Sequence, residues 1–567
     1  MSYSIKQTLE KEIVQALEHI GVSGIVPVVE HPGDMSHGDY ATNAALLASK
    51  HAGKNPTELA EMLVENLRAH NIQFVESIDI AGPGFINFKL SPEYFHSGIQ
   101  MIADLGSQYG ISTVHEGKKI LVEHSSPNLF KPFHIGHVMN NAIGESITRL
   151  ARFSGADVTV ISFPSDISLG IAKAIFIILE KHTVSGEIFK PENIILLGDA
   201  YVEGTKRYDE DESIHARVKE ISNNLYAQID SPELHVYNAC KEFNMNYFEH
   251  VAGMLGSKFD GYIFESEAGA IGKDIVLNHV PSVFTKSEGA VVYIPDESKK
   301  NIHTAVFINS QNNPTYEAKD LGLLFLKFER YDPELSIFIT DHQQVSHFEV
   351  VLDSALKINK SWTEKSIHRI HGRMSFRGQK MSSRLGGVPV AVTVLDTLVE
   401  AVEEKSPGIS KKLAEQIAIG ALKFSILRAQ AGKNIDFDPD TSLSFEGDSG
   451  PYVQYTAVRA GSILQKAHEQ FGVQKMDTSP IAPIGDVERM LLRFPEVVQT
   501  SIDTWEPHHM VTYLLILAQS FNSWYAHVRV LDQENKDMPY NIALVQSVAH
   551  TLTNGLHLLG IEVPEKM

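Results

Sequence analysis

Between Lys118 and Phe153 the spacing of apolar residues changes period twice. Ile120-Leu121-Val122 is a short unbroken apolar run, the pattern of a strand buried on both faces. Ser125-Ser126-Pro127-Asn128 ends it, because proline lacks an N–H and the short polar side chains bond to nearby backbone, which favours a turn. From Ile135 onward Val138, Ala142, Ile143, Ile147, Leu150 and Ala151 recur mostly at three- and four-residue steps, which is helical periodicity. Gly155 then follows, and Val158-Thr159-Val160-Ile161 returns to a strand pattern. The spacing predicts a βαβ unit whose helix begins in the tetrapeptide His134-Ile135-Gly136-His137.

Elsewhere the pattern divides the chain. In the first part, helical stretches at Ile5–Leu17 and Pro56–Leu67 alternate with the apolar runs Phe74-Val75 and Ile78–Ile80, and the Gly82-Pro83-Gly84 turn leads into an alternating strand, Phe85-Ile86-Asn87-Phe88. After a helix at Gly170–Lys181 the region from about 185 to 305 carries helical stretches, the acidic cluster Asp209–Glu212 and strand-like Ile275–Leu277 and Ala290–Ile294; it reads as an insertion. Ala305–Ile308 and Leu335–Ile339 look like further parallel strands. Beyond about 391 the pattern is almost wholly helical. The prediction is a multidomain α/β protein: a small N-terminal α/β module over residues 1–112, a Rossmann-like doubly wound parallel sheet with an insertion over 113–390, and an all-α helical bundle over 391–567.

Composition changes this picture little. The chain has 567 residues, 43% hydrophobic and 21% charged, which is ordinary for a soluble globular protein. A single cysteine, Cys240, excludes an intrachain disulfide and a cysteine-based zinc cluster and suits a reducing cytoplasm. The opening MSYSIKQTLEKEIVQAL mixes both charge signs and lacks the apolar centre of a secretory signal, and no apolar stretch is long enough to span a membrane. A net charge of −21 argues against a general polyanion binder. Yet eight Lys and Arg stand between Lys357 and Arg384 against one acid, Glu364, so this run is either a solvated face or a contact for polyanion.

Several segments can carry chemistry. A helix N-terminus presents unpaired N–H groups and a partial positive charge, which favours phosphate. Gly136 allows close approach, and His134 and His137 can face one ligand as hydrogen-bond donors; the alternative is that both merely cap the helix. Pro314–Asp320 and Thr340–Gln344 lie where strands end, the edge at which open parallel sheets bind ligands, so Asn128, Tyr316, Asp320 and Gln344 are predicted to converge. Asp320 could instead cap the helix or pair with Lys319. The glycine-bounded loop Gly378–Gly387 holds Lys380, Met381 and Ser382, and such a loop can close over a triphosphate and offset charge on departing pyrophosphate. Phe85 and Asn87, and Tyr452, Tyr455 and Arg459, are either core and edge residues or surfaces that stack on unpaired bases.

The pairing of HIGH at 134–137 with KMSSR at 380–384 resembles the two signatures of class I aminoacyl-tRNA synthetases. The wider SSPNLFKPFHIGH at 125–137 is similar to arginyl-tRNA synthetases, with support from Gly82–Phe88, Pro314–Asp320 and GPYVQYTAVR at 450–459. The resemblance implies ATP- and Mg²⁺-dependent activation of L-arginine and transfer to tRNA(Arg), with AMP and pyrophosphate released. It implies that His134, Gly136, His137, Lys380, Met381 and Ser382 bind ATP, and that Glu123, Asn128, Tyr316, Asp320 and Gln344 bind arginine. It places Phe85 and Asn87 on the tRNA D-loop and Tyr452, Tyr455 and Arg459 on the anticodon. No protein-bound metal, a monomer, and low activation without tRNA are the corresponding expectations. One departure stands out: where the general class I loop reads KMSKS, this chain has Ser383 and Arg384, and Lys131 is placed to supply the missing charge. Another class I synthetase, or a catalytically silent tRNA-binding paralogue, is the alternative; an acidic slot at Asp320 favours a cationic amino acid.

Overall fold

The computed structural model describes residues 5–181, 194–377, 389–472 and 483–567. Its central sheet has five parallel strands in the order Ser366–His371, Leu335–Asp341, Lys119–Glu123, Asp157–Ser162 and Gly261–Tyr262. Lys119–Glu123, the first strand in sequence, lies in the middle. The chain builds outward to one edge and then returns to the other side, so the strand order reverses between Lys119–Glu123 and Leu335–Asp341, and the carboxyl ends of these two strands mark the edge at which open parallel sheets bind ligands. Ile120, Leu121 and Val122 are buried, as an unbroken apolar run requires. The helix Ile135–Phe153 crosses to Asp157–Ser162 and buries most of its length.

Three expectations change. Gly261–Tyr262 pairs in parallel with Ile161 and Ser162, so the region read as an insertion to about 305 re-enters the main sheet partway. Ile275–Leu277 is not a strand but part of the helix Glu265–Asn278. That helix meets Tyr316–Tyr331 backbone to backbone: a Cβ at Gly272 would stand 1.7 Å from the Ala318 carbonyl oxygen, and one at Gly322 would stand 1.9 Å from that of Ala268. A contact this close selects the helix through glycines rather than through an apolar stripe. Ala305–Ile308 is a strand, but it pairs antiparallel with Ala290–Tyr293 in a separate three-stranded sheet completed by Phe284–Ser287. Its Val306 is 40% exposed, so the run is covered on one face only and was never a fully buried strand.

The inserted region contributes three helices, Ile194–Glu210, His215–Tyr226 and Pro232–Met254, packed with Leu169–Lys181. The later region is helical except for Ile435–Phe437, which pairs in parallel with Met374–Phe376. By contacts the chain forms two compact units. One holds residues 108–459, 494–519 and 552–567, including the parallel sheet. The other joins residues 1–107 to 460–493 and 520–551; within it a four-stranded antiparallel sheet lies against helices Ile5–His19 and Pro56–Ala69, and Arg489 Nε donates to Asp39 Oδ1 at 2.8 Å. Among the described residues no helix is long and apolar enough to cross a membrane.

Candidate active site

His134 is the N-cap of Ile135–Phe153, with extended backbone, and its Nδ1 accepts the Gly136 N–H at 3.1 Å. His137 Nδ1 accepts the His134 N–H at 3.2 Å, so two imidazoles complete a reciprocal capping box. The rings stack with centroids 3.8 Å apart and planes 18° from parallel. Since each Nδ1 accepts, each Nε2 carries the proton and remains a donor. Burial, reinforced by Lys131, holds His134 below the ordinary imidazole range; burial, then His134, His371 and Lys131, holds His137 well below it. The rings are thus neutral, as their close stacking requires. The caps use Nδ1 of each ring and leave Nε2 outside them. Gly136 serves the cap as well: a Cβ there would stand 3.0 Å from His134 Cε1.

The chain just after the Gly378–Gly387 loop is tied to the same place. Ile135 N donates to Pro389 O at 3.0 Å, and Ala391 N donates to Phe133 O at 2.7 Å. Lys380, Met381 and Ser382 themselves lie outside the described residues. Lys131, three residues before His134, sets its Nζ 4.1 Å from the centroid of the Tyr201 ring.

Asp320 lies on the second turn of Tyr316–Tyr331, and its Oδ2 sits 2.5 Å from His347 Nε2. His347 Nδ1 is 3.6 Å from Glu317 Oε1. Burial opposes charge on His347, but the hydrogen bonds to Asp320 and Glu317 outweigh it, and the imidazolium is held up to about 9. Lys319 is therefore not the partner of Asp320; it pairs with Glu265 at 3.3 Å and donates to Ile167 O at 3.2 Å. Tyr316 is 62% exposed, with Lys319 Nζ 5.2 Å from its ring centroid. Gln344 ends the short turn His342–Gln344 after the strand Leu335–Asp341 and is exposed. Asn128 is exposed on the loop after Lys119–Glu123, bridged through its backbone to Ser165. Glu123, the last residue of that strand, is buried and accepts from Lys327 Nζ at 2.8 Å, so its carboxylate already has a cation.

Tyr201 and Tyr226, from the inserted helices, lie close to Tyr316, and Tyr226 is a hydrogen-bond partner of Lys319. Behind them Asp166 is fully buried and accepts from Tyr237 Oη at 2.9 Å, Lys241 Nζ at 2.7 Å and Ser266 N at 2.8 Å. None of His347, Tyr201, Tyr226, Glu265 or Asp166 was evident in the sequence. Only His347 had a signal, as a histidine six residues past Asp341 on the segment leaving the strand end.

Elsewhere, Phe85 is 38% exposed and shares the outer face of Phe85–Leu90 with Asn87, while Ile86 and Phe88 point into the core. Tyr452, Tyr455 and Arg459 are half-buried on Gly450–Phe471, with the Arg459 guanidinium 4.7 Å from the Tyr455 ring centroid. Phe521 is buried, a core aromatic. In the basic run, Lys357, Lys360 and Arg377 pair with Asp296, Glu364 and Asp436, as a largely solvated face would.

Residues 6–90 match the family described as arginyl tRNA synthetase N terminal domain, residues 99–438 match tRNA synthetases class I (R), catalytic domain, and residues 453–567 match DALR anticodon binding domain. The chain is 29% identical over 572 residues to the arginine–tRNA ligase of Oenococcus oeni, covering 99% of each. It is 30% identical over 584 residues to that of Ligilactobacillus salivarius, covering 100% of each. Among solved structures, arginyl-tRNA synthetase of Thermus thermophilus superposes with a TM-score of 0.79 at 27% identity, over 99% of this chain and 100% of that one. A catalytic-domain match that spans more than half the chain, with full-length relatives and a capped histidine pair at the sheet's switch point, places this protein in the class I arginyl-tRNA synthetase family.

Proposed function

We propose that the crevice beyond Lys119–Glu123 and Leu335–Asp341 is where this arginine–tRNA ligase forms arginyl-adenylate. The observation that carries it is the stacked pair His134 and His137, neutral and with both Nε2–H groups spare, on the first turn of a helix at the sheet's reversal point. ATP lies with its phosphates against those donors, with Lys131 and Lys380 supplying positive charge. The Gly136 N–H is already used by His134, so the imidazoles, rather than that amide, meet the phosphate. These groups are donors and ammoniums, not carboxylates, so Mg²⁺ is held mainly by the ATP phosphates.

Arginine enters with its guanidinium toward Asp320, whose planar carboxylate can accept two parallel N–H bonds; an ammonium offers no such fork, so lysine is rejected. Tyr316 and Gln344 flank the side chain, and Asn128 and Glu123 serve the α-amino and carboxylate end. The arginine carboxylate oxygen attacks the α-phosphorus, the bond to the β-phosphate oxygen breaks, and pyrophosphate leaves with the charge met by the cationic groups. A ribose hydroxyl at the tRNA 3′ end then attacks the arginyl carbonyl, and AMP departs. Phe85 and Asn87 face the D-loop, and Tyr452, Tyr455 and Arg459 face the anticodon. The enzyme acts as a cytoplasmic monomer. The test is ATP–pyrophosphate exchange with arginine, with and without tRNA(Arg), followed by charging with each amino acid in turn. Exchange dependent on arginine and strongly raised by tRNA is expected; charging of a different amino acid, or none, overturns the assignment.

A further inference from the structure

We infer that Tyr201, on the inserted helix Ile194–Glu210, is a positioning residue that holds the Lys131 ammonium in place for the phosphates. The inference rests on the role proposed above for Lys131. The contact the structure gives this ammonium is a ring face: Nζ lies 4.1 Å from the Tyr201 centroid, inside the range of about 6 Å for cation–π attraction. The choice of partner matters for charge. A carboxylate would neutralise the ammonium and would have to be pulled away before phosphate could use it. An aromatic face leaves the full positive charge available and gives it up easily, while still restraining a side chain with many rotamers.

The helix that carries Tyr201 is docked so that the ring has little freedom. A Cβ at Gly198, one turn earlier on the same face, would stand 3.0 Å from Pro132 Cδ, next to Lys131. A Cβ at Gly204, one turn later, would stand 2.4 Å from the Lys173 carbonyl oxygen. At the far end of the ring, a Cβ at Gly170 would fall 2.0 Å from the Tyr201 hydroxyl oxygen, so the phenol occupies space that any larger residue there would need. Three glycines thus seat one helix, and that helix places one ring under one ammonium. The same ring lies near Tyr316, so the inserted helix also borders the proposed arginine slot.

The experiment is steady-state pyrophosphate exchange with arginine, ATP and tRNA for Tyr201→Phe, Tyr201→Leu, Lys131→Ala and the Lys131→Ala/Tyr201→Leu double variant, each checked by thermal melting. Lys131→Ala is expected to lower kcat about 100-fold, as removal of one electrostatic stabiliser commonly does. Tyr201→Phe, which keeps the ring, should stay within about 2-fold, while Tyr201→Leu should lower kcat about 10-fold with the KM for arginine unchanged. The double variant should be no slower than Lys131→Ala alone, because the ring acts only through the ammonium. If Lys131→Ala has normal kinetics, the underlying role of Lys131 fails. If Lys131→Ala is slow but Tyr201→Leu is not, or Tyr201→Phe is as slow as Tyr201→Leu, or the two losses multiply, Tyr201 does not position Lys131.

Discussion

The proposed guanidinium slot already contains a cation, and arginine has to contend with it. His347 sits 2.5 Å from Asp320 and is protonated below about pH 9, while neighbouring His368, lowered by burial to about 4, stays neutral. Among the described residues Glu317 is the other carboxylate beside the His347 ring. If the guanidinium takes over Asp320, the imidazolium loses its main support and returns toward its ordinary value near 6.5. Linkage then fixes the sign. Arginine binding releases a proton, so affinity rises with pH, approaching tenfold per pH unit midway and amounting to about 40-fold between about pH 6.5 and about pH 8.5. The free protein shows the opposite trend: the raised value contributes about 3 kcal/mol to stability, fully present below about pH 6.5 and lost as pH climbs through about 9. Isothermal titration of arginine in buffers of different ionisation enthalpy measures both the slope and the proton count. His347→Gln should bind arginine with little pH dependence over this window. A wild-type affinity that is flat with pH, with no proton released, would refute displacement of His347 from Asp320.

Asp320→Asn should raise the KM for arginine in pyrophosphate exchange at least 100-fold and leave the KM for ATP near normal, since a neutral amide cannot pair with the guanidinium; an equal rise in both would place Asp320 elsewhere. Lys327→Met strands the buried Glu123 carboxylate and should cost about 3–5 kcal/mol, whereas Glu123→Gln/Lys327→Met should recover most of the loss, as read by denaturant melts of the catalytic unit's signal. Lys131→Ala should leave tRNA affinity, measured by filter binding, nearly unchanged while activation falls. Phe85→Ala should weaken tRNA binding by about 1–3 kcal/mol without lowering melting temperature, because the ring packs on the outer face rather than in the core.

The sequence was readable wherever one residue's burial follows from its neighbours' spacing. Ile135–Phe153, Leu335–Asp341 and the later helices fell where the period placed them, because an apolar stripe or an apolar run has one stable way to be covered. It was not readable where contact depends on something absent from the stripe. Gly272 and Gly322 make Ile275–Leu277 helical through a backbone contact with a helix some fifty residues away, and no local pattern records that. Ala305–Ile308 and Leu335–Ile339 look alike as apolar runs, yet one joins a small antiparallel sheet and the other the parallel core, because an apolar run does not name its partner strand.

The site shows the same division at the scale of atoms. The tetrapeptide at 134–137 allowed a structural and a functional reading, as did Asp320, and in both cases the choice between them was posed at the wrong level. A histidine has two nitrogens, and here Nδ1 holds the helix end while Nε2 is left to donate; the cap fixes the tautomer that the proposed phosphate contact requires. Asp320 is an ion-pair member whose partner is a titratable imidazole on a different element rather than the lysine beside it. In the proposed slot, a partner that can lose its proton can yield Asp320 to a guanidinium, which a lysine bound at the same carboxylate could not do near neutral pH. The pairing of Lys319 with Glu265 keeps that lysine off Asp320, as the proposed slot requires. A Lys319 that left Glu265 for Asp320 would remove both the pH dependence and the preference for arginine together.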